Sequence, residues 1–221
     1  MVKLEEKTAP TYTDLISLAT AKEFLRVTHS SEDTLITSLI SAGIESAQNF
    51  TNTRFLWREY TLYMSAWNDV YSPNSYSGYL YRDIATNSNA EGGYYSPFTG
   101  LPQIVLPSPP LKEVSRLEYY DTTNTKITYH HSNYTLNKYT NQKNFIEINK
   151  DVTLPEVYDR ADAIQISFTA GMGSAGADVP DAIKQAILLI VGHLYEKRED
   201  TVSRLPKASE YLLEPYRIKT Y

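Results

Sequence analysis

The sequence predicts an α+β fold, in which a small helical bundle carries an inserted antiparallel β-sheet or open barrel. Apolar residues recur every three or four positions in two N-terminal segments and one long C-terminal segment. Between them, apolar and polar residues alternate in several short runs. We therefore expect a discontinuous helical core over 13–57 and 175–217, a β-rich insertion over 58–174, and mobile tails at 1–12 and 218–221.

The long C-terminal helix is predicted from Asp178 to Asp200. Pro180 suits the first helical position, and Asp178 and Asp181 place negative charge where the helix dipole favours it. The apolar stripe consists of Ile183, Ala186, Ile187, Ile190, Val191 and Leu194. A stripe of this kind needs other helices to cover it. The charged residues that follow are expected to be solvated, and they are Glu196, Lys197, Arg198, Glu199 and Asp200.

Two shorter helices are predicted near the N-terminus, and they are natural partners for the long one. A Thr-x-x-Glu capping box at Thr20 predicts a first helix over 20–26. The second, over 31–49, has an apolar stripe of Leu35, Ile36, Leu39, Ile40, Gly43, Ile44, Ala47 and Phe50. Gly43 costs helix stability relative to alanine, and we interpret it as a point of close packing against another helix.

Seven strands are predicted between the helical segments, separated by Pro, Gly, Asn and Asp turn residues. They cover residues 60–64, 103–106, 114–120, 126–129, 134–136, 144–148 and 163–169. The last is the clearest, because Ile164, Ile166 and Phe168 alternate with polar residues, as in a half-buried antiparallel strand.

A Tyr-rich loop over 66–100 interrupts the strands, in a chain that has 19 tyrosines in all. It contains few aliphatic residues, so it cannot build a core alone, yet disordered segments are poor in aromatics. We interpret it as an interaction loop that becomes ordered against a partner; a simple loop insertion is the alternative. Its candidate contact residues are Tyr71, Tyr76, Tyr79, Tyr81, Tyr94 and Tyr95.

Composition excludes several classes of protein. A net charge of −5, with scattered basic residues, argues against a protein that grips nucleic acid through its phosphates. The absence of cysteine excludes disulfide scaffolds and thiol catalysis. No apolar run is long enough for a membrane span, and the opening residues lack the apolar region of a secretory signal.

An enzymatic site is not expected. The glycines at 171, 173 and 176 fit a G-x-G-x-x-G fingerprint, but the preceding strand alternates and no acidic-ended strand follows. We interpret them as a flexible strand-to-helix connection. His130 and His131 should point to opposite faces of a strand, and His193 has only Glu196 as a possible second ligand. We therefore predict no catalytic residues, no cofactor and no metal.

Several segments, in order along the chain, resemble tailed-phage head–tail connector (adaptor, or head completion) proteins, namely the longer members with a β-insertion. The N-terminal segments are SLATAKEFLRV (17–27), EDTLITSLI (32–40) and AQNFTNTR (47–54). The insertion contributes PSPPLKEV (107–114) and YYD (119–121). The C-terminal segments are AGMG (170–173), DVPDAIKQAILLIVGHLYEKR (178–198) and LLEPYR (212–217). The Tyr-rich loop is longer than this family implies.

The resemblance implies a structural protein of the virion head–tail interface, assembled in the host cytoplasm. It implies a ring, typically a dodecamer, that docks on the portal, extends the DNA channel and receives a stopper or tail completion protein. DNA would pass without specific binding, and no membrane is involved. The resemblance implies a portal-docking tail, here Tyr216, Arg217, Ile218, Lys219 and Tyr221. In a ring, the charged residues 196–200 become candidate subunit or channel contacts.

Three alternatives remain open on the residues. A frayed terminus would explain the tail equally well. The runner-up function is a β-rich binding module whose Tyr-rich loop recognises a glycan or a host surface, and a nucleotide-binding enzyme comes third.

Overall fold

The structure is a computed structural model that describes residues 2–8, 12–67, 103–137, 144–197 and 205–218. The predicted α+β class is confirmed: helices and antiparallel sheets are both present, and the sheets are open rather than closed into a barrel. The chain divides into two units. The β-rich unit is drawn from residues 1–8 and 58–170, and the helical unit from 9–57 and 171–221.

The helical unit contains four α-helices in its described part. They are α1 (Leu18–Leu25), α2 (Asp33–Thr51), α3 (Asp181–Glu196) and α4 (Lys207–Leu213). The first three correspond to the predicted helices, whereas α4 was not predicted. The core is almost wholly aliphatic, and its largest fully buried members include Ile36, Ile44 and Phe55. None of the helices in the described ranges is long and apolar enough to cross a membrane.

Gly43 lies where α2 packs closely against α3. A Cβ atom at this position would lie 3.1 Å from Cγ2 of Val191 and 3.7 Å from Cγ2 of Ile187. The residue therefore lets two helices pack more closely than a larger side chain would allow, as we predicted for Gly43 from its place in the apolar stripe.

Two predicted helix starts are wrong. Helix α1 is capped one turn earlier, by Ser17, whose Oγ accepts a hydrogen bond from the Thr20 amide at 3.1 Å. The Thr-x-x-Glu pattern therefore lies inside the helix and does not cap it. Helix α3 begins at Asp181, with Pro180 as its N-cap in an extended conformation (φ −54°, ψ 139°). Asp178 belongs instead to a separate 3₁₀ turn, Gly176–Asp178.

The described part of the β-rich unit contains two antiparallel sheets. Its strands are β1 (Val2–Glu6), β2 (Arg58–Met64), β3 (Gln103–Leu106), β4 (Leu111–Tyr120), β5 (Lys126–Thr128), β6 (Tyr134–Asn137), β7 (Asn144–Ile148) and β8 (Ile164–Ala170). Five form a sheet in the order β1-β2-β8-β4-β5, and three form a second sheet in the order β3-β7-β6. Every predicted strand is present. In β8, Ile164, Ile166 and Phe168 are fully buried, and the polar residues between them are half-exposed.

Residues 2–6 correct the expectation of a mobile N-terminal tail, because they form the edge strand β1. The strand pairs with β2 in the register Val2↔Met64, Leu4↔Leu62 and Glu6↔Tyr60. Its ladder continues to the Lys7 amide, which donates to the Glu59 carbonyl at 2.8 Å. Val2 and Leu4 pack against the β-rich core, so this polar-looking segment has an apolar face.

The β-rich core contains several aromatic rings among mainly aliphatic residues. Tyr60 stacks on Phe168 with ring centroids 5.4 Å apart. Tyr129 contacts Trp67 at 5.2 Å and Tyr134 at 6.3 Å. The Trp67 indole also donates a hydrogen bond to the Pro155 carbonyl at 2.8 Å, which satisfies its polar atom.

Candidate interface residues

The C-terminal segment is the candidate docking element that the structure describes best. After α4 the chain makes a 3₁₀ turn, Glu214–Tyr216, and continues in an extended conformation at Arg217. Ile218 is 3% exposed, and its amide donates to the Thr51 carbonyl at 2.8 Å. The side-chain amide of Asn52 donates in turn to the Ile218 carbonyl at 3.0 Å. The expectation that 218 begins a mobile tail is therefore corrected: Ile218 is held by the end of α2.

Tyr216 and Arg217, which precede this contact in the chain, differ in exposure. The Arg217 guanidinium lies 4.9 Å from the centroid of the Phe50 ring and 3.5 Å from a carboxylate oxygen of Glu214. It remains exposed, whereas Tyr216 is half-buried and packs against the helical core. The other two predicted docking residues, Lys219 and Tyr221, lie outside the described residues.

The charged end of α3 is only partly described. The helix ends at Glu196, and the Lys197 amide completes its last turn by donating to the His193 carbonyl at 2.9 Å. Glu196 and Lys197 are both exposed. The other candidate contacts, Arg198, Glu199 and Asp200, lie outside the described residues, as do all six candidate tyrosines of the Tyr-rich loop.

The glycine-rich connection after β8 has a structural explanation. One carboxylate oxygen of Asp178 accepts hydrogen bonds from the Ser174 amide at 2.8 Å, the Ser174 hydroxyl at 2.9 Å and the Ala175 amide at 3.2 Å. These bonds, the one from the Ser174 hydroxyl above all, lower the pKa of Asp178 below its ordinary value. The loop thus binds its own carboxylate with the amides that a nucleotide phosphate would need.

The glycines themselves are required by space. A Cβ atom at Gly173 would lie 2.1 Å from the Cβ atom of Asp178. Gly171 has φ +137°, and a Cβ atom there would lie 2.4 Å from the Leu56 carbonyl oxygen. Both positions exclude other residues because of close packing. The segment connects a strand to a helix, as we interpreted it, but close packing accounts for these two glycines, whereas we had attributed them to flexibility.

The paired histidines depart from their predicted geometry. They do not lie on a strand: His131 begins a 3₁₀ turn, and the His130 and His131 rings are 4.2 Å apart rather than on opposite faces. The His130 Nδ1 atom is hydrogen-bonded to the Ser132 hydroxyl at 2.8 Å. Within the described ranges, no group of three or more His, Asp or Glu side chains is arranged to hold a metal ion.

Comparison with known proteins tests the resemblance to head–tail connectors that the sequence predicts. Residues 15–85 match the family of phage gp6-like head-tail connector proteins. The resemblance to head–tail connectors is confirmed. The matched segment begins before α1, includes α2 and β2, and so carries the N-terminal half of the helical unit. None of the curated proteins compared with the chain matches it.

Solved structures extend the similarity in fold to the whole chain. A chain from the neck of an empty gene transfer agent (GTA) particle, computed with C6 symmetry, has a TM-score of 0.70 and 20% identity. The match covers 99% of this chain and 97% of that chain. A chain from the virion of a native GTA particle has a TM-score of 0.70 and 22% identity, over 99% and 96% of the two chains.

A third chain comes from the neck of a native GTA particle computed with C12 symmetry. It has a TM-score of 0.68 and 20% identity, over 99% of this chain and 97% of that chain. At these identities the comparison establishes a shared fold. Because the alignments cover nearly all of both chains, the helical unit and the β-rich unit are both part of that fold.

Proposed function

We propose that the chain is a structural head–tail adaptor of a phage-like particle. It forms a ring on the portal vertex, extends the DNA channel and provides the platform on which a stopper or tail completion protein assembles. Its work is done by binding other proteins, with no catalytic step. In this role it is a component of the virion neck, and it assembles in the host cytoplasm.

The observation that carries the proposal is the similarity in fold to three chains of GTA particles, two of them from particle necks, over 99% of this chain and at least 96% of theirs. The family match over residues 15–85 supports the same role independently, because it rests on sequence. Fold alone does not fix function. The similarity in fold and the family match are two separate observations, and both support a role at the junction of head and tail. This function is therefore the best supported one.

The symmetry of the particles in which those chains are found supports the proposed ring. Two of the three structures are particle necks, one computed with C6 symmetry and the other with C12 symmetry. A cyclic ring of identical subunits uses heterologous contacts, in which two different surfaces of each subunit meet. We propose twelve copies, with Glu196, Lys197 and the charged residues up to 200 as subunit or channel contacts.

The net charge of −5 suits a channel through which DNA passes. A surface that neutralised many phosphates would hold the DNA and slow its passage. The proposed ring therefore contacts DNA without specific binding. It takes its affinity from protein surfaces, with the portal on one side and the stopper or tail completion protein on the other.

Mass measurement of the purified protein tests the proposal. The protein is examined alone and with the portal protein of the same particle, by native mass spectrometry and negative-stain imaging. We expect a closed ring, formed alone or on the portal, with a mass of about twelve subunits. A protein that stays monomeric in both preparations, and that labelled antibodies do not find at the neck of purified particles, would contradict the proposed function.

A further inference from the structure

We infer that the free edge of strand β1 is a contact site for the β1 strand of a second copy of this chain, in an antiparallel two-fold dimer. The strand lies at the edge of the five-stranded sheet, so within the described part of the chain it pairs with β2 on one side only. The contact is isologous, because the same surface meets itself, and it differs from the heterologous contacts of the proposed ring. The site is defined by this strand alone, whether or not the chain forms that ring.

The pairing with β2 determines which backbone groups of β1 face the free edge. The Lys7 amide donates to the carbonyl of Glu59, the residue directly opposite when the register of the two strands is continued. Hydrogen-bonded and non-hydrogen-bonded pairs alternate along an antiparallel ladder. The odd-numbered residues of β1 therefore turn their backbone groups toward β2. The even-numbered residues turn theirs toward the free edge, and they are Val2, Leu4 and Glu6.

The side chains of β1 alternate between an apolar face and a charged face. Val2 and Leu4 pack against the β-rich core. Lys3 and Glu5 lie on the other face, where the Lys3 Nζ atom is 5.8 Å from the centroid of the Tyr63 ring. A strand that adds to this edge would therefore place alternate side chains beside the apolar residues and beside the two charges.

Charge and length select one register for two β1 strands. Residues that face the free edge must lie opposite one another, so even-numbered residues pair with even-numbered residues. The register centred on Leu4 aligns all five residues of the strand and places Leu4 opposite Leu4 of the second copy. It also places Lys3 opposite Glu5 twice, once on each side of the two-fold axis. These are non-hydrogen-bonded pairs, whose side chains lie closest, and opposite charges there stabilise the contact.

The two neighbouring registers bring like charges together. A shift of two residues in one direction places Lys3 opposite Lys3, and a shift in the other direction places Glu5 opposite Glu5. Like charges directly opposite each other destabilise an antiparallel pair. Each shifted register also aligns only three residues of the strand with strand residues of the second copy. The order of charges therefore makes β1 complementary to itself in the register that uses its whole length.

The other edge of the same sheet is less suited to pairing. Strand β5 has only three residues, and its neighbour β4 pairs with β8 through two register shifts. Strand β1 pairs with β2 over five residues without a shift. Long, regular edges are those to which other strands add. Five residues a side bury much less area than a standard interface, so we expect a weak dimer, with a dissociation constant on the order of 10 μM or above.

Disulfide trapping tests the contact and its register, because the chain has no cysteine of its own. Leu4→Cys places two cysteines opposite each other in the dimer, with Cα atoms about 5.5 Å apart, within the range that a disulfide spans. We expect mild oxidation of the full-length protein to give a covalent dimer, detected at twice the chain mass by denaturing mass spectrometry. This readout counts linked chains whether or not rings are present.

Lys3→Cys and Glu5→Cys are the matched controls. In the centred register each cysteine lies about 7–8 Å from the same cysteine of the second copy, too far for an unstrained disulfide. We expect each to cross-link at least about 10-fold more slowly than Leu4→Cys. Lys3 is more exposed than Leu4, so random collision would give the opposite order. If Leu4→Cys does not cross-link, or cross-links no faster than the controls, the contact is overturned.

A mixture of the two controls tests the same register with Leu4 intact. Lys3→Cys and Glu5→Cys face each other across the proposed contact, so the mixture should form a mixed disulfide at least about 10-fold faster than either variant alone. Labelling one variant with ¹⁵N identifies the mixed product by its mass. This measurement also decides the contact if Leu4→Cys fails to fold. A mixed disulfide no faster than the two homodimers would overturn the proposed register.

Charge reversal in the Leu4→Cys protein tests the two ion pairs. Lys3→Glu and Glu5→Lys each place like charges opposite each other, and each should slow cross-linking about 10-fold. The double variant restores opposite charges and should return the rate to within about 2-fold of the parent. Trp67 fluorescence confirms that the β-rich unit is folded in each protein. If the double variant cross-links as slowly as the single variants, the charges do not select the register and the inference is wrong.

Discussion

The two units of the chain solve the same packing problem with different side chains. The core of the helical unit is built from aliphatic and very small residues, among them Ala21, Ala47 and Ala186, which are fully buried. The core of the β-rich unit contains large rings, such as the stacked pair Tyr60 and Phe168. Two helices can approach each other closely where small residues meet. Two sheets that pack face to face are about 10 Å apart, and large side chains are needed to fill the space between them.

This difference predicts different weaknesses. The stability of the helical unit depends on how closely its helices pack. Replacing a small residue by a larger one should therefore be the most destabilising change. In the β-rich unit the tyrosine rings bring hydroxyl groups into the core, so removal of a hydroxyl group should change the stability of this unit. The chain has two tryptophans, and each reports on one unit: Trp57 belongs to the helical unit and Trp67 to the β-rich unit.

The largest effect is expected for Gly43→Leu. A Cβ atom alone would lie 3.1 Å from Val191, so a leucine side chain would have to push α2 and α3 apart. We expect a loss of about 3 kcal/mol in the free energy of unfolding, at the upper end of overpacking effects. Urea unfolding followed by the fluorescence of Trp57, in a Trp67→Phe background, measures it for the helical unit.

Ala42→Leu is the control for this prediction. Ala42 precedes Gly43 in the same helix but is exposed, so the same side chain should change stability by no more than about 0.5 kcal/mol. Equal effects of the two substitutions would show that the close approach of α2 and α3 at Gly43 has no special importance. Close packing at small residues would then not determine the stability of the helical core.

A smaller effect of opposite sign is expected where a buried hydroxyl has no hydrogen-bond partner in the described part of the protein. Ser209 in the helical unit and Tyr60 in the β-rich unit are two such residues. Ser209→Ala and Tyr60→Phe each remove the hydroxyl and keep the remaining shape. We expect each to raise the free energy of unfolding by about 1 kcal/mol, because a buried unpaired polar group costs about 1–3 kcal/mol.

The fluorescence of Trp57 measures the first of these variants and that of Trp67 the second. Ser38→Ala is the control for Ser209→Ala, because Ser38 also lies in a helix of the helical unit but is exposed. It brings the same gain in helix propensity without removing a buried hydroxyl, so equal effects would attribute the stabilisation to propensity alone.

Destabilisation by Tyr60→Phe would mean that its hydroxyl contributes to the β-rich core. Aromatic packing alone would then not account for the stability of this unit.

Local patterns made the strands and the three longer helices predictable from the sequence. Alternation over 163–169 corresponds to β8 (Ile164–Ala170), and the stripe that contains Gly43 corresponds to α2. Helix α4 has seven residues, which is too short to show a helical period, although Pro206 stands at its N-cap. Strand β1 has an alternating Val2-Lys3-Leu4-Glu5 pattern, but its identity depends on pairing with β2, which is distant in sequence.

The candidate docking site was only half predictable. The aromatic and basic character of residues 216–221 suggested an interacting segment. The contact that holds its first part joins Asn52 and Ile218, which are 166 positions apart in the chain. An asparagine after the last helical residue is a known way to end a helix, and that signal is visible in the sequence. What it cannot show is that its side chain binds a distant carbonyl.

The smallest effect is predicted for Asp178, in the glycine-rich connection of the helical unit. Hydrogen bonds from the Ser174 hydroxyl and the amides of Ala175 and Ser174 lower the pKa of Asp178 below its ordinary 3.8. A carboxylate whose pKa is lower in the folded state stabilises that state above the unfolded pKa. This contribution is lost as pH falls through the folded value. Between pH 3.8 and the lower, folded pKa, the wild-type helical unit should therefore lose stability more steeply than Asp178→Asn.

Trp57 is well placed to detect this loss, because its amide donates to the Gly173 carbonyl at 2.8 Å within the same connection. Unfolding curves recorded at several pH values below 4 for the wild type and Asp178→Asn give the two slopes. Asp151→Asn, at an exposed turn of the β-rich unit, is the control and should retain the wild-type slope. If Asp178→Asn has the same pH dependence as the wild type, the loop does not bind this carboxylate in solution. Its amides could then donate hydrogen bonds to another anion, and the structural explanation of the glycine-rich connection would fail.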